Sequence, residues 1–181
     1  MIIYTIGHST RSIPELLAAL APYGIEVVAD VRRFPGSRRL PQFAEPALRA
    51  SLEANGLGYV WIPALGGRRR PAPDTVNTGW RHTAFRGYAD HVQSDEFAEG
   101  LFELLMIAQG LRTVIMCAEV LWRRCHRRII ADVLVSLGIE VVHIADATHS
   151  TPHVLTAPAR LVAGQLRYDE EQDGAVDSLT G

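Results

Sequence analysis

Short apolar runs alternate along this chain with longer stretches in which apolar residues recur every three to four positions. Residues 2–6, 26–31, 59–62, 113–118 and 141–145 are rich in Ile, Val, Tyr and Trp and read as strands. Between them, Ser12-Ile13-Pro14-Glu15 opens a helical pattern with a capping box, Ser12 facing Glu15 three positions on. Helical spacing is also expected over 46–55, over 88–109 with Gly110 as its C-terminal stop, and over 125–137 closed by Gly138. Residues 63–85 carry too much Gly, Pro and Arg for either pattern and read as a long irregular connection of the lid or binding kind. Five strands separated by helices predict an α/β fold: one domain with a mostly parallel five-strand sheet, helices on its faces and a ligand crevice at the strand C-terminal ends.

Composition narrows this picture. With 181 residues, 48% hydrophobic and 21% charged, the chain has enough apolar surface for one core, expected over residues 1–168. Residues 169–181 are acidic and poor in apolar side chains, the signature of a disordered tail. No apolar run reaches the length of a bilayer span, and Met1-Ile2-Ile3-Tyr4-Thr5 shows neither a basic region before an apolar stretch nor a small-residue cleavage site, so the expected location is cytoplasmic with no membrane partner. The 18 basic residues are all arginine, which excludes lysine Schiff-base and P-loop lysine chemistry. Arginine clusters at 32–39, 68–70 and 123–128 favour planar, bidentate recognition of phosphate or carboxylate. A pI near 6.4 gives no global drive toward nucleic acid, which is a possible but disfavoured partner.

The residues following each predicted strand carry the candidate chemistry: His8 and Ser9, then Asp30 and Arg32, then Gly66 and Gly67, then Cys117 and Glu119. Cys125-His126-Arg127 follows at a predicted helix N-terminus, where the backbone field favours a thiolate or an anion. Cys117 or Cys125 is a candidate nucleophile with Glu119 or His126 as proton carrier, and Cys117, Glu119 and Asp30 make up the catalytic set. His8, Ser9, Arg32, Gly66, Gly67, Cys125, His126 and Arg127 are the candidates for substrate binding. Each has a plainer reading: both cysteines as small core residues, and Asp30 with Arg32 and Glu119 as an ion-pair network ordering loops. Cys117 and Arg123 also match a Cys-x5-Arg phosphate loop, although Glu119, Leu121 and Trp122 suit it poorly. A metal set drawn from His8, Cys117, Cys125 and His126, with His82 or His91, lacks a recognised ligand spacing. Trp80, Phe85 and Tyr88 stand to cover a planar ligand or to pin the long connection to the core.

Several spaced blocks resemble the DUF488 family, a bacterial and archaeal domain of unknown function. They are Tyr4-Thr5-Ile6-Gly7-His8-Ser9, Asp30-Val31-Arg32 with Pro35, Ser37 and Phe43, Leu65-Gly66-Gly67, and Cys117-Ala118-Glu119 with Cys125-His126-Arg127. The resemblance runs over residues 1–168 and implies a single α/β domain without implying a reaction or a cofactor. Residues 120–124 depart from the more polar, proline-containing turn of the family. The expected activity is that of a small hydrolase or transferase acting on a phosphate-bearing or nucleotide-like substrate. The alternatives are a non-catalytic module binding nucleotides or nucleic-acid ends, and a metal-dependent enzyme using Cys and His ligands.

Overall fold

The computed structural model describes residues 1–169 apart from Ser37. The acidic tail expected to be disordered therefore lies, beyond Asp169, outside the described residues. The chain order is β1 (Ile2–Gly7), α1 (Ile13–Leu20), β2 (Val27–Asp30), α2 (Glu45–Glu53), β3 (Gly58–Trp61), α3 (Thr83–His91), α4 (Asp95–Gly110), β4 (Thr113–Cys117), α5 (Arg127–Ser136), β5 (Glu140–Ile144), β6 (Ser150–Pro152), β7 (Arg160–Val162) and β8 (Gln165–Arg167). The main sheet has the order β3-β2-β4-β1-β5-β6. Its first five strands are parallel, as expected, and β6 adds an antiparallel edge on β5. β7 and β8 form a separate hairpin. These last three strands are short and polar, without the apolar run that announces the others.

Alternation along the strands splits the core in two. Tyr4, Ile6, Val28, Val114 and Met116 face one side, where α1 and α2 bring Leu16, Leu20, Leu48 and Leu52. Ile3, Ala29, Ile115 and Cys117 face the other, where α3, α4 and α5 bring Tyr88, Phe97, Leu104, Ile129, Ile130 and Leu134. Burying that much aliphatic and aromatic surface at roughly 25 cal/mol per Å² dominates the folding free energy.

The capping box holds: the Ser12 hydroxyl accepts from the Glu15 amide, and the Glu15 carboxylate accepts from the Ser12 amide at 2.7 Å. The single helix expected over 88–109 is two. Ser94 stops the first and caps the second, its hydroxyl donating to the His91 carbonyl at 2.7 Å and accepting from the Phe97 amide at 3.2 Å. Gly110 is the last residue of α4, and Leu111 turns the chain in its place.

The long connection before α3 is tied down by buried and half-buried polar groups. The Asp90 carboxylate accepts from the Ala72 amide, the Thr75 hydroxyl and the Asn77 side-chain amide. Trp80 and Tyr88 are buried and pin the segment: Trp80 packs on Phe85 and Tyr168, and the Tyr88 hydroxyl donates to the Leu65 carbonyl at 2.6 Å.

Candidate functional site

A crevice of about 960 Å³ opens beyond the carboxyl ends of β2, β3 and β4. Cys117, Cys125 and His126 are in its lining, together with Arg33, Arg68, Arg123, Arg124 and Arg128. Among the described residues none of these five guanidiniums has an ion-pair partner, and Glu119 is the one carboxylate in the lining. Such a site carries a positive field that attracts anions. The rim arginines come from the three clusters visible in the sequence, but that signal did not single out which members reach the crevice.

Cys117 ends β4 on the α5 side, and the chain returns through a turn at 122–124 to bring Cys125 and His126 to the start of α5. The two sulfurs and His126 Nδ1 lie within 4.8 Å of one another. His126 Nε2 is 3.0 Å from the Val31 carbonyl, an acceptor only, so Nε2 carries the proton. In the neutral ring Nδ1 then presents a lone pair to Cys125 Sγ at 3.6 Å and Cys117 Sγ at 4.0 Å. Arg127, buried, donates from Nε to Cys125 Sγ at 3.4 Å. The Cys117 thiol donating to Cys125, then His126 and Arg127, hold the Cys125 thiol well below its ordinary range. The same hydrogen bond and burial push the Cys117 thiol up. The sequence reading left Cys117 and Cys125 both open as nucleophile, with Cys117 in the catalytic set; the surroundings of the two sulfurs favour ionisation at Cys125.

Arg127 does not face the crevice as an anion holder. Its remaining donors go to Thr5 Oγ1 at 3.2 Å and to the carbonyls of Glu119 and Val120. That arrangement also speaks against the Cys-x5-Arg cradle. The loop turns carbonyls inward, and the amides of Leu121, Arg124 and Cys125 are already used within it. Glu119 itself is exposed, with one carboxylate oxygen accepting from the Leu121 amide.

Asp30 is not brought to the cysteines. Register sets it opposite Met116, one position before Cys117, so it points to the other face of the sheet. There it is fully buried, and its oxygens accept from Arg32 Nε at 2.8 Å, the Arg32 amide at 3.0 Å and the Tyr59 hydroxyl at 2.7 Å. Arg32 spends another donor on the Phe43 carbonyl at 2.8 Å. His8 stacks on Phe43 with ring centroids 3.9 Å apart, and burial lowers its pKa to about 4. Asp30, Arg32, His8 and Tyr59 thus form a closed ion-pair network, of which Arg32 alone reaches the crevice lining. His8 lies outside the Cys–Cys–His group, as do His82 and His91.

Ser9 has φ +50° and Arg68 φ +60°, left-handed values uncommon outside glycine, and Arg68 is at the crevice. Gly66 and Gly67 allow close approach. A Cβ on Gly66 would lie 2.7 Å from the Arg33 Cα, and one on Gly67 would lie 2.7 Å from His126 Nδ1. Gly67 is therefore what admits the imidazole beside the sulfurs.

No curated protein and no solved structure matches the chain. A family model does: the Domain of unknown function DUF488 matches residues 12–134, which takes in β2 to β4, both cysteines and most of α5. The chain belongs to the DUF488 family.

Proposed function

We propose that the chain is a small hydrolase or transferase for a phosphate-bearing, nucleotide-like substrate, with Cys125 as its nucleophile. The carrying observation is a thiol at the floor of an arginine-rimmed crevice that receives a hydrogen bond from a buried guanidinium and faces an imidazole nitrogen. The rim guanidiniums of Arg33, Arg68, Arg123 and Arg124 hold the phosphate. His126 Nδ1 accepts the Cys125 proton; the thiolate attacks the electrophilic centre, forming a bond to sulfur as the bond to the leaving group breaks, and Nδ1–H returns the proton to that group. Water or an acceptor then displaces the sulfur. Glu119, exposed at the mouth, is placed to take the proton of that second nucleophile.

The test is alkylation of Cys117 and Cys125 against pH, each followed by peptide mass spectrometry, with and without inorganic phosphate and with and without a chelator. The reading requires modification of Cys125 to titrate clearly below the free-thiol value of about 8.5, and phosphate to slow it. Thiols inert until the protein unfolds would end it. Reactivity released only by the chelator would replace it with a metal centre on Cys117, Cys125 and His126, which the clustering of those three ligand atoms favours as the second reading.

A further inference from the structure

Behind Arg127 runs a second set of buried polar groups that no step above uses. Arg127 Nη1 is 3.2 Å from Thr5 Oγ1, Thr5 Oγ1 is 2.7 Å from His143 Nδ1, His143 Nε2 is 2.9 Å from His153 Nδ1, and His153 Nε2 is 2.9 Å from Asp132 Oδ1. Thr5, His143, His153, Asp132 and Arg127 are all buried. They come from β1, β5, the residue after β6, and α5.

With neutral rings, the direction of every link follows from the carboxylate end. A guanidinium only donates and a carboxylate only accepts. Thr5 therefore accepts from Arg127 and gives its one hydroxyl proton to His143 Nδ1. His143 carries its proton on Nε2 and gives it to His153 Nδ1; His153 does the same toward Asp132. Asp132 is held in turn by the Thr156 amide at 2.8 Å, the Thr156 hydroxyl at 2.6 Å and the Tyr168 hydroxyl at 3.1 Å. Burial, first, holds the His143 pKa at about 3, in keeping with a neutral ring. Trp122 lies flat on His143 at 4.1 Å and edge-on to His153 at 5.3 Å, which screens the chain from solvent.

We propose that Thr5, His143, His153 and Asp132 are positioning residues for Cys125, a one-way chain that fixes the Arg127 guanidinium with its Nε–H on the sulfur. The proposal rests on Cys125 being the nucleophile. The other titratable groups around that sulfur are Cys117 from β4, His126 from α5 and Tyr88 from α3, and none of them is in the chain.

Alkylation of Cys125 against pH in the Thr5→Val variant tests it, with Thr5→Ser as the conservative control. Valine keeps the shape and removes the link. The expected result is an alkylation rate about tenfold lower at pH 6.5, corresponding to a shift of roughly one pH unit, an unchanged rate at pH 10, and wild-type behaviour in Thr5→Ser. A folded Thr5→Val protein with the wild-type profile overturns the chain while leaving the nucleophile standing; a wild-type Cys125 inert at every pH overturns both. Should the valine variant fail to fold, imidazole nitrogen NMR of the wild-type protein decides. His143 is expected as a neutral Nε2–H tautomer from pH 5 to 8, and protonation of His143 in that range, or its Nδ1–H tautomer, overturns the proposal.

Discussion

The two faces of the sheet each bury an arginine, and they treat it in opposite ways. On the α1 and α2 face, Arg32 meets the Asp30 carboxylate at close range, and Tyr59, the Arg32 amide and the Phe43 carbonyl complete the set. Its charge is neutralised inside the fold. On the α5 face, Arg127 touches main-chain carbonyls, a hydroxyl and the Cys125 sulfur, and no carboxylate. Its charge is left for a thiolate to balance. A buried guanidinium with a carboxylate beside it is architecture, whereas one whose nearest potential anion is a thiol favours ionising that thiol.

That contrast can be broken in graded ways. Asp30→Asn removes the charge that Arg32 was built around and is expected to destabilise the protein by about 3–5 kcal/mol in urea unfolding, while Cys125 in the remaining folded protein keeps its alkylation profile. An equal loss of thiol reactivity would mean that the two faces are one system. Gly67→Ala forces a methyl against His126 Nδ1 and is expected to cost roughly 1–3 kcal/mol while disturbing alkylation at Cys125, the reverse selectivity. Cys125→Ser should cost only about 1–2 kcal/mol in the same unfolding measurement, because Arg127 keeps its carbonyl and hydroxyl partners. A cost as large as that of Asp30→Asn would show that Arg127 depends on the sulfur as Arg32 depends on Asp30.

The pH dependence of stability draws on both faces at once. His8 and His143, one on each face, have folded pKa values of about 4 and about 3, both below the ordinary 6.5. Each stays neutral in the fold while the unfolded chain takes up a proton. Their contribution to stability is therefore complete above pH 6.5 and is lost as the pH falls toward 4, at up to about 1.4 kcal/mol per pH unit for each ring. Urea unfolding at pH 7, 6 and 5 should show this slope, and His8→Asn should flatten it; a stability unchanged over that interval would contradict the neutral assignment.

The five parallel strands were legible because each is an apolar run, and the strand-end rule pointed to Cys117, Gly67 and Arg32 before any coordinates. Facing was not legible. Whether Asp30 and Cys117 share a side depends on the register that sets Asp30 beside Met116, and no local pattern in either strand fixes it. The break at Ser94 had a sequence signal, a serine followed by Asp95 and Glu96, that was outweighed by apolar spacing continuing across it. Which thiol has the lowered pKa was not legible either, because that depends on how Cys117, His126 and Arg127 sit around the Cys125 sulfur. Thr5, Asp132, His143 and His153, scattered over almost 150 positions, give no motif at all; only the pairing of β1 with β5, which sets Thr5 beside His143, begins to assemble them.

One strand has a consequence for how copies of this molecule meet. In β6 the His153 amide, just past the strand, turns inward to the Val141 carbonyl, so the neighbouring position, Pro152, presents its nitrogen outward, and that nitrogen carries no hydrogen. The outer border of the sheet on this side lacks a donor where an incoming chain would need one, and it is three residues long. The opposite border, β3, turns the Gly58 amide inward to the Glu26 carbonyl and so leaves the amides of Tyr59 and Trp61 on its outer side, with Trp61 40% exposed. Growth of the sheet by end-to-end stacking of identical molecules is thereby disfavoured on the β6 flank.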